Sequence, residues 1–178
     1  MKNQSFFKVA KAVFFLLFCC VLLSCGVIYG VVEFDKKLFE QKWAEWEKQG
    51  IVNYSVVQSY SSSYLPESKA RITVTSNEIA NKEALSDWDI VQLEKNPDYL
   101  PEIFTSVKTI SEIFEWVKEC YENFKKRDDR QVRIRITYND EFHYPESIRI
   151  SFEYLPKGRP PIGSATLERD LSEFVPHY

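Results

Sequence analysis

The sequence predicts an α+β fold: an antiparallel sheet of four or five strands with two main helices on one face, preceded by an N-terminal membrane helix. Three observations predict it. A stretch from Ala12 to Val32, AVFFLLFCCVLLSCGVIYGVV, holds no charged residue. Two segments, 34–48 and 109–125, repeat apolar residues at helical spacing. Two later segments alternate apolar and polar residues with a period of two, the pattern of strands with one face in water.

The uncharged stretch comes first. Roughly 21 residues of helix span about 31 Å, the hydrocarbon thickness of a bilayer. Lys2, Lys8 and Lys11 precede it, and Glu33 and Asp35 follow. The positive-inside bias keeps residues 1–11 in the cytoplasm, threads 12–32 through the bilayer and places 33–178 outside the cytoplasm as one domain. The expectation is a single-pass protein of the cell membrane, a signal anchor carrying an exported domain. A second reading stays open. Leu22-Leu23-Ser24-Cys25-Gly26 has the form of a lipoprotein signal, in which Cys25 is lipidated and the residues before it are removed. Leu23 is large for that signal, and the chain stays apolar through Val32, which favours the retained helix. Either anchor leaves the domain outside the cytoplasm.

Composition narrows the function classes. Charged residues are 28% and hydrophobic ones 44%, so the domain is globular rather than disordered. Every acidic residue lies beyond position 32, which leaves the domain mildly acidic. That argues against nucleic-acid binding, which rests on a cationic surface. Cys120 is the one cysteine beyond the uncharged stretch, so the domain forms no internal disulfide. Its place among apolar helix positions marks it as a small buried residue rather than a nucleophile. With two histidines and five glycines, the chain shows no phosphate-binding glycine loop, nucleophile elbow or zinc spacing. No metal and no cofactor are expected.

Within the domain, Phe34 to Lys48 reads as a helix, with Leu38, Phe39, Trp43 and Trp46 on one face and Gly50 placed to cap its end. It can continue directly from the membrane segment. Asn53–Tyr60 and Ala70–Thr75 read as strands; Ala70, Ile72 and Val74 share one face of the second, and Arg71, Thr73 and Thr75 the other. Ser76-Asn77 marks a turn, and residues 77–104, broken by Pro97 and Pro101, read as a partly helical insertion. Thr109-Ile110-Ser111-Glu112 is a capping box. The helix that follows carries the stripe Ile110, Ile113, Phe114, Val117, Tyr121 and Phe124 and runs to about Lys125.

Val132, Ile134 and Ile136 alternate with Arg133 and Arg135; Ile148, Ile150, Phe152 and Tyr154 alternate with Arg149, Ser151 and Glu153. Pairing Val132 with Tyr154 and Ile136 with Ile150 keeps the apolar residues inward and sets Arg133 opposite Glu153. A slip of two residues would set Arg135 against Arg149, two like charges. PKGRPPIG after Tyr154 reads as a loop, and residues 165–175 fit a helix nearly as well as a strand.

The order of these elements and two motifs resemble an uncharacterised family of bacterial exported proteins and lipoproteins, known only as a domain of unknown function. Its members have a tryptophan on a first helix and then a tyrosine-containing strand, here Trp43 or Trp46 and Asn53-Tyr54. A helix like Thr109–Trp116 follows, then a motif like Ile136-Thr137-Tyr138-Asn139-Asp140-Glu141-Phe142-His143-Tyr144-Pro145-Glu146-Ser147-Ile148. The resemblance covers most of residues 38–155. It departs from the family in two places: Ser61–Ser63 stand where a pair of cysteines is common, and His143 stands where glycine is usual. The resemblance implies a fifth strand near the C-terminus, which tips residues 165–175 towards strand. It implies no activity.

Two sets of residues are candidates for chemistry. Arg71, Arg133, Arg135 and Arg149 fall on the wet face of the sheet, where guanidiniums could bind an anion; the competing reading pairs them with acids on neighbouring strands. His143 and Tyr144 form the second candidate, a loop site. His143 stands near Asp140 and Glu141 and could serve as a base. Tyr144-Pro145 reads as structural, fixing the chain where it enters a strand. The first functional expectation is a non-catalytic binding or interaction domain of the bacterial envelope, held to the lipid bilayer through residues 12–32, with an envelope protein or an anionic polymer as partner. The alternative is an envelope hydrolase using His143 and the acids of the 139–146 loop.

Overall fold

The computed structural model describes residues 32–96, 98–155 and 163–178. Among them seven strands and four helices follow one another: β1 (Val32–Glu33), α1 (Lys36–Gln49), β2 (Tyr54–Ser62), β3 (Leu65–Thr75), β4 (Glu78–Ala84), α2 (Asp87–Lys95), α3 (Glu102–Ser106), α4 (Ile110–Lys125), β5 (Arg130–Tyr138), β6 (Pro145–Tyr154) and β7 (Gly163–Pro176). The strands form one sheet in the order β1-β5-β6-β7-β2-β3-β4. β1 is parallel to β5, and every other neighbouring pair is antiparallel. The class is α+β, as expected, but the sheet is larger than four or five strands and is mixed.

The two extra strands explain the difference. β4, EIANKEA, is an edge strand with most side chains in water, so it lacks apolar alternation. Its hairpin forms because Ser76 and Asn77 both adopt left-handed backbone (φ 54° and 64°), a two-residue turn whose twist matches that of paired strands. β1 is two residues long and takes up Val32, the last residue of the uncharged stretch. α1 begins separately, with the Asp35 side chain accepting a hydrogen bond from the Leu38 N–H (3.0 Å). The two elements are therefore not one continuous helix. Residues 12–31 and the expected loop at 156–162 lie outside the described residues, and no helix among those described is long and apolar enough to cross a membrane.

The helices cover one face of the sheet. Phe39 and Trp46 of α1 and Ile110, Ile113, Phe114 and Val117 of α4 bury against Val56, Ile72, Val132, Ile148 and Ile150. Gly50 ends α1 with φ 63°, as a left-handed cap should. The capping box at Thr109 is present: the Thr109 hydroxyl accepts from the Glu112 N–H (3.2 Å), and the Glu112 carboxylate from the Thr109 N–H (2.6 Å). Tyr54, fully buried, adds a third satisfied amide there. Its hydroxyl oxygen accepts from the Ile110 N–H at 2.8 Å.

The register of β5 and β6 differs from the expected one. Val132 pairs with Phe152 and Ile136 with Ile148, which sets Arg135 opposite Arg149. The loop between the strands decides this. Asn139 Oδ1 accepts from the Glu141 and Phe142 N–H groups (3.0 and 2.8 Å), and the Asn139 N–H reaches the Tyr144 carbonyl (2.9 Å). His143 closes the loop with φ 63°, a left-handed conformation that glycine adopts without cost. These bonds outweigh one cross-strand charge pair, worth about 0.2–1 kcal/mol. One of the two like charges also gains an acid from a flanking strand: Arg149 Nε lies 3.0 Å from Glu168 on β7.

Candidate functional site

The face of the sheet opposite the helices carries the predicted arginines. The side chains of Arg71, Arg133 and Arg149 are 40%, 43% and 58% exposed. They do not form one cluster. Arg133, Arg135 and Arg149 are neighbours on β5 and β6. Arg71 is on β3, three strands from β6, roughly 14 Å across the sheet. It is held by two carboxylates, Glu173 at 2.7 Å and Glu83 at 3.3 Å, the first of which raises its pKa most. Glu173 reaches it from a bulge in β7, with φ 51°. Arg133 grips Glu33 in a two-pronged ion pair that lowers the Glu33 pKa. Arg135 also lowers it through space. Beside Arg133 the face dips into a hollow of about 280 Å³ lined by Gln131, Ser151, Glu153, Ser164 and Thr166. A guanidinium has five donors, so a carboxylate that engages two leaves others free for a further acceptor.

The second predicted site lies on the helix side. His143 Nδ1 stands 3.1 Å from Lys42 Nζ and 3.5 Å from Glu45 Oε2, both on α1. Glu45 also holds Lys42 at 2.9 Å; hydrogen bonds from Gln41 and then Lys42 lower its pKa. Asp140 and Glu141, the acids nearest in sequence, are exposed, and Glu146 is engaged by Asn139 (2.8 Å). The histidine therefore meets one carboxylate and one ammonium from another element. Tyr144 is buried against Trp46 and Phe174, and burial pushes its pKa up to about 12. It belongs to the core. No group of three metal-binding side chains occurs among the described residues. Burial pushes the Cys120 thiol up to about 11. Cys25 lies outside the described residues.

Sequence reasoning missed Arg169. It projects from β7 into the core, 3% exposed, with no carboxylate at ion-pair distance among the described residues. Nη1 donates to Gln58 Oε1 (2.9 Å) and Nη2 to the Ser106 carbonyl (2.8 Å), while the rings of Tyr60 and Trp116 flank the guanidinium at 5.6 and 5.4 Å. Burial lowers its pKa to about 10. Gln58, also fully buried, binds the Lys108 backbone through both ends of its amide. Together they lock the loop before α4 onto the sheet. The signal was present: the strand reading of 165–175 places Arg169 between Leu167 and Leu171 on the apolar face.

The architecture defines a class: among the described residues, a single sheet with helices on one face, exposed arginines on the other and a buried polar lock between sheet and helices. Residues 38–154 match the model of a family of unknown function (DUF6174), and the chain belongs to that family. No curated protein matches the chain.

Proposed function

We propose that this chain is a membrane-anchored protein of the bacterial envelope whose domain, outside the cytoplasm, is a non-catalytic binding module reading an anionic or polar polymer with its open sheet face. The observation that carries the reading is the sheet face that no described helix covers, where the hollow beside Arg133 offers amide, hydroxyl and guanidinium donors together with the Glu153 carboxylate. The anchoring part rests on the uncharged stretch, whose last residue, Val32, is the first residue of β1. The alternative, a hydrolase using His143 and the acids of the 139–146 loop, has one contact behind it, His143 with Glu45, and that carboxylate is shared with Lys42.

Two measurements test the proposal. Protease treatment of intact spheroplasts should digest the domain, and labelling with a palmitate analogue, compared with Cys25→Ala, separates the lipid anchor from the helix. For the binding face, the full chain in nanodiscs should retain an anionic glycan. The variant Arg133→Gln, Arg135→Gln, Arg149→Gln should weaken binding about tenfold or more, the loss of one or two charge-assisted contacts. Equal binding by the variant would dispose of this face as the site.

A further inference from the structure

A trough runs between α1 and α4 on the helix side. The helices are antiparallel. Phe34, just before α1, meets Tyr121 near the end of α4 (ring centroids 5.0 Å apart), and Trp46 meets Ser111 at the start of α4 (3.4 Å). Phe34, Phe39, Trp43 and Tyr121 line a space of about 320 Å³. From Phe34 to Glu47 it follows α1 for roughly 20 Å. A second hollow of about 540 Å³ adjoins it, sharing Trp43 and Lys118. The rim charges balance, Lys36 and Lys118 against Glu40 and Glu47, so neither a basic nor an acidic peptide is selected.

The nearness of Phe34 to the uncharged stretch points to the occupant of the trough. Phe34 is the second residue after Val32, where the uncharged stretch ends. β1 runs parallel to β5 and pairs Val32 with Val132, so the preceding chain arrives from the end where β5 begins and α4 finishes. Phe34 and Tyr121 form that end of the trough. Resting on the reading of residues 12–32 as a membrane anchor, we propose that the trough takes the acyl chain of a bilayer phospholipid. The floor of the trough is aromatic, and its Phe34–Tyr121 end is the one nearest Val32, where the uncharged stretch of the sequence ends.

The test uses the full chain in vesicles of phosphatidylglycerol and phosphatidylethanolamine doped with a phospholipid carrying a diazirine on its acyl chain. After irradiation, mass spectrometry should find label on the peptides containing Trp43 and Tyr121. Ala44→Trp, at an exposed lining position, should float with the vesicles as well as the native chain but lose that label about fivefold, equivalent to about 1 kcal/mol. Glu47→Trp, also exposed and lining, is the second block if the first disturbs folding. A chain that floats with label confined to residues 1–32, or label that neither block reduces, overturns the proposal. If such an unlabelled chain also runs as a dimer, a second copy fills the trough instead. A chain that does not float overturns the anchor reading, and the lipid proposal with it.

Discussion

Removing the Tyr54 hydroxyl gives the sharpest test of how the sheet holds α4. The first N–H groups of a helix have no partner within the helix. Here the Ile110 N–H, fully buried, points at the Tyr54 oxygen (2.8 Å). Tyr54→Phe keeps the ring against Trp46 and Phe174 and strands that amide. Leaving a buried donor unsatisfied costs about 1–3 kcal/mol. The same hydroxyl has a pH signature. Burial raises its pKa from the ordinary 10 to about 12, so the stability it contributes is complete below pH 10 and is lost as pH rises towards 12. Two pH units correspond to about 3 kcal/mol. Urea titration of the full chain in mild detergent, followed by tryptophan fluorescence, should show the variant losing 1–3 kcal/mol at pH 7. Its stability should then fall less steeply than the native chain's between pH 10 and 12. Tyr144, Tyr138 and Cys120, all shifted upward by burial, contribute to the slope that remains. A loss below about 0.5 kcal/mol at pH 7, or an unchanged alkaline slope, would refute the reasoning.

Other outcomes follow from the same geometry. Arg169→Lys should cost about 2 kcal/mol in the same titration, because an ammonium cannot fork to Gln58 and Ser106 while stacking between two rings. Thr109→Ala should cost about 1 kcal/mol through loss of the capping box, read as a lower midpoint with unchanged denaturant slope. Gly50→Ala should cost about 1 kcal/mol from left-handed backbone alone, since a new methyl at Gly50 meets nothing within 4 Å. Cys120, with its pKa pushed up to about 11, should be thiolate in only about one molecule in a thousand at pH 8. Mass-spectrometric mapping should therefore show it alkylating far more slowly in the folded chain than in urea.

What was legible in the sequence followed from local chemistry. Thr109 and Glu112 announce the start of α4, Gly50 the end of α1, and the Val132–Ile136 alternation the inner face of β5. What was not legible depended on partners distant in sequence. The register of β5 and β6 rests on Asn139 bonding its own loop and on an acid arriving from β7, neither of which shows in the two strands themselves. β4 escaped notice because an edge strand buries too little to need apolar alternation. Placing the arginines on a wet face was a matter of alternation. Separating Arg71 from the others required knowing that β7 and β2 lie between β6 and β3. His143 seemed to belong with Asp140 and Glu141, its neighbours in sequence, yet its left-handed backbone turns it to Glu45 on α1.

The position of β7 bears on how this chain is assembled. It is the last strand in chain order and sits at the middle of the sheet, between β6 and β2. The residues matching the family end at 154, before it begins. A chain cut there keeps two three-stranded pieces, β1-β5-β6 and β2-β3-β4, each with a bare edge open to pairing with other chains. Among the described residues, β7 is what joins the two pieces into one sheet. A separate peptide of residues 163–176 would be the natural complement for such a shortened chain, donated as a strand from outside.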